Sequence, residues 1–347
     1  MEEKVFMIEI AVLSYNRPKE LKRTLDSCLK LSKDHFKVVV YDDMSPRQDE
    51  IVAMFNSFFE KETNFYLLAR KQNLGYDLSL LNAISSSTAE YVILLSDDDY
   101  LDFGDDGLSL CNKLAELSFG VGILSYKFAT ELISRENIQR RVRYRRPLSK
   151  SISLEYKEVV DKPYNIYHFI LFSGLIFKPS DIDQEHFQKF HGSIYMQVAL
   201  AMTLMVKGVV FFDGIEIIVG SDGENGFGNN KNRQNRDIEL QHRDHVTSNW
   251  RYQKRLLNVV HDRSRHLNSR ILWRRFKREW RLRTIYSFIV IRSDSFKDYM
   301  QLLKFVHRDV ALLIPYLAIV LVPPTIVSQI IKFKKILERK RGFNQGV

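Results

Sequence analysis

Tyr91-Val-Ile-Leu-Leu-Ser-Asp-Asp-Asp99 is a short apolar run that ends in three consecutive carboxylates. A run of that length bounded by polar residues reads as a strand buried on both faces. The same grammar repeats outward from it. Ile8–Ser14 is a second buried run, and Asn16-Arg17-Pro18 after it supplies a cap with proline at the start of a helix. Leu21, Leu25, Cys28 and Leu29 then recur at helical spacing, which predicts a helix over 18–31. Strands follow at 36–41 and 65–68, and helices at 51–59 and 78–84; beyond the acidic run, 108–117 is helical and 121–126 strand-like. Strand and helix alternate, so the first half is an α/β domain with a mostly parallel sheet and helices on both faces. Ligands of such sheets bind at the carboxyl ends of the strands. Ser14-Tyr15-Asn16-Arg17, Asp42-Asp43-Met44-Ser45 and Asp97-Asp98-Asp99 all stand at those ends, and are expected to meet in space.

The chain has 347 residues and a formal net charge of +10. That length fits two domains or one large one. With 45% hydrophobic and 27% charged residues, wholesale disorder is excluded. Two cysteines, Cys28 and Cys111, exclude a disulfide scaffold and a thiolate zinc cluster, and read as reduced core residues of a cytoplasmic protein. The charge is unevenly spread: 30 Lys+Arg and 36 Asp+Glu up to Trp250, then 22 and 6 beyond it. A mildly acidic body carries a basic tail, a pattern that points to nucleic acid or an anionic membrane. Met1-Glu2-Glu3-Lys4 does not read as a signal peptide.

Three carboxylates after a buried strand repel one another, and a hard cation such as Mg²⁺ or Mn²⁺ relieves that repulsion; a solvated acidic turn is the other reading. Asp42 and Asp43 also follow a strand, where a carboxylate can accept from base or ribose donors or simply shape a turn before Ser45-Pro46. In Arg70-Lys71-Gln72-Asn73-Leu74-Gly75 the cations suit a diphosphate and Gly75 can open the next helix close to a ligand; alone the stretch also reads as a surface loop.

Together, Ile10-Ala-Val-Leu-Ser-Tyr-Asn-Arg-Pro18, Val38-Val-Val-Tyr-Asp-Asp-Met-Ser45, Asn73-Leu-Gly75 and Leu94-Leu-Ser-Asp-Asp-Asp99 resemble the family 2 glycosyltransferases in order and spacing over roughly the first 125 residues. The resemblance implies the GT-A fold, a Rossmann-like sheet, with a nucleotide-diphosphate sugar as donor and Mg²⁺ or Mn²⁺ as cofactor. It implies Ser14, Asn16 and Arg17 at the nucleotide, Asp42 at the base with Asp43 beside it, and Arg70, Asn73 and Gly75 along the donor. Asp97 and Asp99 match the ends of the metal-binding D-x-D motif with Asp98 between them, and Asp99 is the expected direct ligand.

The resemblance is looser further on. Ser173-Gly174-Leu-Ile-Phe177 looks like the acceptor-side strand of the family. A buried helix over 195–206 ends at Gly208 where many members carry Glu-Asp, the Asp acting as base; here Met196 and Gln197 fall there. Asp181, Asp183, Glu185 and His191 are the nearby substitutes. The Gly- and Asn-rich stretch 220–230 reads as a lid or an inert loop. The pattern looks most like enzymes of bacterial O-antigen and surface-polysaccharide assembly, which implies a lipid-linked glycan acceptor. A nucleotidyltransferase is the first rival, argued against by the lack of glycine in 11–19, and a catalytically inactive relative is the second.

The division expected is a glycosyltransferase domain over 1–225, with a nucleotide-sugar half to about 125 and an acceptor half over 126–225, then a helical extension over 226–347. That extension interleaves Trp273 and Trp280 with arginines, as nucleic-acid binders do. The uncharged stretch 310–331 decides instead for a membrane surface, since nucleic-acid binding has no need of it. Pro315 and Pro323-Pro324 interrupt that stretch, so a kinked or paired interfacial helix on the cytoplasmic face of the inner membrane is expected, with a single crossing or burial in the core as the other readings. No nucleic-acid partner is expected, and the oligomeric state is not legible.

Overall fold

The computed structural model describes residues 6–103, 107–131, 140–144, 151–219, 245–294, 296–307 and 309–323, with positions 326 and 329. Two compact units make up the chain, Met1–Lys231 and Asn232–Val347. The first is built on a mixed sheet of β1 (Ile8–Ser14), β2 (Phe36–Asp42), β3 (Phe65–Ala69), β4 (Tyr91–Ser96), β5 (Tyr100–Phe103), β6 (Val121–Glu131), β7 (Arg140–Tyr144), β8 (Ile152–Leu154), β9 (Leu175–Phe177) and β10 (Val209–Val219). Its order is β3-β2-β1-β4-β9-β6-β10-β5, with β7 on β6 and β8 on β10. Its helices are α1 (Pro18–Cys28), α2 (Gln48–Phe58), α3 (Gly75–Ser85), α4 (Leu108–Glu116), α5 (Tyr156–Asp161), α6 (Gln184–Phe187) and α7 (Met196–Leu204).

Burial explains the central strands. Every residue of β1 is buried. Ile8, Ile10 and Val12 share one core with Leu21, Leu25 and Cys28 of α1 and Ile51 and Phe55 of α2. The alternate face carries Glu9, whose carboxylate accepts from the Tyr41 hydroxyl at 2.7 Å and pairs with Lys37 at 2.9 Å. Both cysteines are free and buried, and burial pushes the Cys28 thiol up to about 12.

β3, β2, β1 and β4 are parallel, and so are β6 and β10. The structure departs from the alternating pattern in three places. β9 runs antiparallel between β4 and β6. The chain after Asp99 turns straight into β5, antiparallel to β10. Residues 209–219, whose sequence reads as two strands, form one strand whose register on β6 shifts between Phe212 and Glu216, an irregularity that absorbs Asp213-Gly214-Ile215. The registers bring Ser14 level with Asp42, and Leu13 level with Ser96, so the polar ends of β1, β2 and β4 lie at one edge.

Gly174 locks β9 into place. Its φ is +86°, its N–H donates to Leu94 and its carbonyl accepts from Leu124, so it stitches β4 to β6. A Cβ there would stand 2.9 Å from Ile217 Cγ1 and 3.2 Å from Leu124 Cβ.

The second unit is helical: α8 (His245–His266), α9 (Arg270–Asp294), α10 (Phe296–Gln301), α11 (Leu303–Val306) and α12 (Val310–Leu321). Leu272, Phe276, Trp280 and Phe288 form the buried face of α9. Trp250 of α8 packs on Trp280 at 5.8 Å, and Tyr299 stacks on Tyr316 at 4.6 Å. Among the described residues no helix is long and apolar enough to cross a membrane. The 12-residue α12 spans only about 18 Å against a hydrocarbon core of about 30 Å. The loop at 220–230, the helical stretch expected at 237–244 and the basic residues 332–341 lie outside the described residues.

Gly174→Ala is expected to destabilise the first unit by about 2–3 kcal/mol, through a strained φ and a Cβ overlap that rigid strands cannot relieve. Urea denaturation checks it; a change below about 0.5 kcal/mol would show that the β9 crossing tolerates a side chain.

Candidate functional site

Three loops converge at the carboxyl edge, held by bonds that cross between them. The Tyr15 N–H donates to Asp97 Oδ2 at 2.9 Å, and the Asn16 N–H to Ser45 Oγ at 2.7 Å. Asn16 takes a left-handed φ of +61° to make that turn. Arg17, itself buried, donates to Asp97 Oδ1 at 3.0 Å and pairs with Asp98 Oδ2 at 2.7 Å. One guanidinium thus offsets two of the three adjacent carboxylates. Burial pushes the Asp97 carboxyl up to about 7; the Arg17 charge opposes that shift and the Asp98 charge adds to it.

α1 braces the acidic turn from below. The Thr24 hydroxyl donates to the Asp99 carbonyl at 2.6 Å, and Arg23 donates to the Asp98 carbonyl at 2.8 Å. Ser173, just before Gly174, donates its hydroxyl to Asp99 Oδ2 and accepts from the Ser96 N–H at 3.0 Å. The segment leading into β9 and the acidic turn therefore share a hydrogen bond.

The other expected residues are also at this edge, with jobs within the fold. Asp42 is fully buried; it accepts from the Ser45 hydroxyl, the Ser45 N–H at 3.2 Å and Gln48 Nε2 at 2.7 Å, which closes the turn into α2. Asp43 accepts from the N–H groups of Leu74 and Gly75 at 2.8 and 2.9 Å, and its carbonyl accepts from Asn73 Nδ2 at 2.8 Å. That seats the 73–75 turn on β2 and caps α3 with a carboxylate. Arg70 turns inward, donating to Ser79 and Asn82 of α3 and lying 5.6 Å from the Tyr41 ring. What remains for a ligand is a set of orphaned polar atoms: Ser14 Oγ and Asn16 Oδ1 are buried without a hydrogen-bond partner among the described residues. Such atoms cost stability unless something else satisfies them.

Asp77, which the sequence reading passes over, joins α3 to the start of α7. Its carboxylate accepts from Ile194 N–H at 2.9 Å and Met196 N–H at 3.2 Å. Burial raises its pKa, against the pull of these N–H groups and of the His191 charge. His191 stands over the same turn: a Cβ on Gly75 would lie 3.9 Å from His191 Cε1. Gln197 is buried, with Nε2 donating to the Ile170 carbonyl at 2.9 Å and Oε1 without a partner among the described residues. Asp181 is paired with Lys207 at 2.6 Å, and Asp183 caps α6 by accepting from His186 N–H at 3.4 Å.

The donor chemistry of the acidic turn bears on a cation. Asp97 has both oxygens in hydrogen bonds, to Arg17 and to the Tyr15 N–H. Asp98 accepts from Ser96 Oγ at 2.5 Å and pairs with Arg17. Among the described residues no three His, Cys, Asp or Glu side chains are arranged as a metal cage. Asp99 Oδ2 accepts from the Ser173 hydroxyl, so a Mg²⁺-like ion at this turn would need oxygens from a bound ligand besides those of the protein.

Against known proteins, residues 9–172 match the model of Glycosyl transferase family 2. Two crystal structures of S. aureus TarS residues 1–349 align with the chain. The complex with UDP gives 16% identity, a TM-score of 0.44 and coverage of 61% of this chain and 60% of that one. The complex with UDP-GlcNAc gives 14% identity, a TM-score of 0.46 and coverage of 74% and 66%. This chain thus spans less than two thirds of either TarS chain. Among curated proteins nothing matches.

Arg17→Ala leaves the buried Asp97 and the half-buried Asp98 without their cation. A loss of about 3–5 kcal/mol is expected in denaturant titration at neutral pH; a loss under 1 kcal/mol would show that the ion pair does not hold the edge together.

Proposed function

We propose that residues 9–172, which match the Glycosyl transferase family 2 model, form a glycosyltransferase domain, and that the protein transfers a sugar from a nucleotide-sugar donor to a lipid-linked glycan acceptor during assembly of a bacterial surface polysaccharide. The observation that carries the site assignment is the convergence of Ser14, Asn16, Arg17 and Asp97–Asp99 at one sheet edge, with the Ser173 strand bonded to Asp99. Ser14 and Asn16 offer their orphaned polar atoms to the nucleotide. Asp42, Asp43 and Arg70 act at one remove, by holding the β2 turn and the 73–75 turn in the shape the donor meets. Asp97 anchors Arg17 and the first loop, and Asp99 is the carboxylate toward a divalent cation. Such a cation supplies positive charge to the diphosphate as it leaves.

The base falls to His191. Of the nearby substitutes, Asp181 and Asp183 are engaged with Lys207 and with the α6 N-terminus, whereas His191 is exposed beside Gly75 on the donor half. In the reaction the acceptor oxygen forms a bond to the anomeric carbon and the bond from that carbon to the diphosphate oxygen breaks. The hydroxyl proton passes to the imidazole, and the Asp77 carboxylate nearby favours the resulting cation. Asp77 also fixes the backbone at Ile194 and Met196, and so positions the segment that carries the histidine. The basic C-terminal unit, with its short apolar α12, suits work at a membrane surface where such an acceptor resides.

Two outcomes test this reading. His191→Ala is expected to lower kcat by about a hundredfold or more while KM for the donor stays within threefold. Asp181→Asn and Asp183→Asn should keep kcat within threefold, and a large loss in either would move the base there. Separately, Asp99→Ala should abolish transfer while calorimetry shows an intact fold, and the Mn²⁺-dependent part of the thermal shift by a nucleoside diphosphate should vanish with it. Full activity in Asp99→Ala would refute the cation's role.

A further inference from the structure

The second unit carries a cleft of its own, lined by residues of α9 and α12. Arg274, Lys277, Arg278 and Arg281 of α9 line a cavity of about 490 Å³ between α9 and the start of α12. Their spacing of three, four and seven places all four on one helix face, where like charges repel. Arg281 is answered by Asp309, whose oxygens lie 3.0 and 3.1 Å away and which also caps α12 by accepting from the Ala311 N–H. Arg274, Lys277 and Arg278 make no ion pair among the described residues. The cleft thus holds four cations against one carboxylate. Its other wall is apolar: Leu282, Ile285 and the ring of Trp273, with Lys277 Nζ 5.7 Å above that ring.

An unpartnered apolar stripe begins where the cations end. Val310, Ile314, Leu317 and Leu321 are 66%, 64%, 50% and 83% exposed, and their spacing sets them in one line along α12. Leu312, Tyr316 and Ile319 on the opposite side are buried. Arg281 meets Asp309 and, seven residues on, Phe288 meets Tyr316 at 5.9 Å, so α9 and α12 run in the same direction. The cations at 274–281 consequently sit off the N-terminal end of α12, and the stripe extends away from them for about 16 Å. Ala311, which lines the cleft, lies about a quarter turn from the stripe, so the cavity opens along its edge.

A cationic head joined to an apolar track matches an anionic amphiphile. We propose that this cleft binds the phosphate of an anionic phospholipid headgroup, with the Val310–Leu321 stripe seated in the acyl layer. A nucleic acid would satisfy the cations but has nothing to place on four exposed aliphatic side chains. The proposal rests on the reading that the second unit works at a membrane, and names the site and the lipid charge through which it does so.

The test is sedimentation of the full chain with vesicles of phosphatidylcholine alone or mixed with phosphatidylglycerol. Three double variants are compared: Arg274→Gln with Arg278→Gln in the cleft, Ile314→Ser with Leu317→Ser on the stripe, and Arg251→Gln with Arg255→Gln on α8 as an equal loss of charge elsewhere. Binding is expected only with phosphatidylglycerol present. It should weaken about thirtyfold in the cleft variant and at least tenfold in the stripe variant, and change less than threefold in the α8 variant, with helical circular dichroism unchanged throughout. Equal loss in the cleft and α8 variants would mean diffuse attraction, and equal binding to both vesicles would mean no headgroup site; either overturns the proposal and leaves the membrane reading standing. No binding to either vesicle overturns both. Binding to single-stranded RNA that the cleft variant loses, without vesicle binding, would assign the cleft to nucleic acid and overturn the proposal as well.

Discussion

A single buried guanidinium, Arg17 between Asp97 and Asp98, is the constraint on which the sheet edge depends. Consecutive carboxylates repel, and burial makes the charged form of Asp97 costly unless a cation stands beside it. Arg17 can compensate them only if the chain after β1 turns back over the end of β4. The left-handed Asn16 makes that turn, and the Tyr15 and Asn16 N–H groups fix it by donating to Asp97 and Ser45. The three loops therefore have one joint solution. Moving any of them would leave a buried charge or an unpaired N–H, either of which costs more than a typical surface contact.

That interlocking explains which parts of the molecule were legible in the sequence. The apolar runs of β1, β2 and β4 report burial directly, and the parallel register then brings Ser14, Asp42 and Ser96 to one edge without further information. The roles of the polar residues there depend on partners far away in sequence. Asp43 looks like a ligand carboxylate until the N–H groups of Leu74 and Gly75 are found on it; Arg70 looks like an anion binder until Ser79 and Asn82 claim it. Asp77 gives no signal, because an acidic residue in the first turn of a helix is ordinary. Only the fold reveals that it accepts from the backbone of a segment more than a hundred residues on. The strand at 175–177 was legible, but its antiparallel place between β4 and β6, and the existence of β5, were hidden for a related reason. A three-residue strand has no period to read, and its place between β4 and β6 is set by Ser173 and Gly174.

The uneven charge acquires a physical meaning from the same contacts. In the acidic first unit, Arg17 and Arg70 are both committed to carboxylates or side-chain acceptors of the fold, so neither is a loose cation for an incoming diphosphate. That unit must meet negative charge with backbone dipoles, hydroxyls and any ion shared with Asp99, all weak until the ligand excludes water and strengthens them. In the second unit the reverse holds. Its cations exceed its acids, and on one face of α9 no acid among the described residues pairs with Arg274, Lys277 or Arg278.

Length then separates the ways such a unit could use apolar surface. An α12 of about 18 Å is too short to cross a bilayer by itself, so the membrane contact proposed for it is one along the interface. Lying along an interface requires the polar end of the helix to stay in water among the headgroups. The N-terminal end of α12 has Asp309 paired with Arg281 and the line of cations beside it, while Leu321, the most exposed of the stripe, is at the other end. A partner protein would need a groove matched to both features. A lipid layer offers both at once over any stretch of its surface, which makes the bilayer the simplest occupant for this arrangement of charge and apolar area.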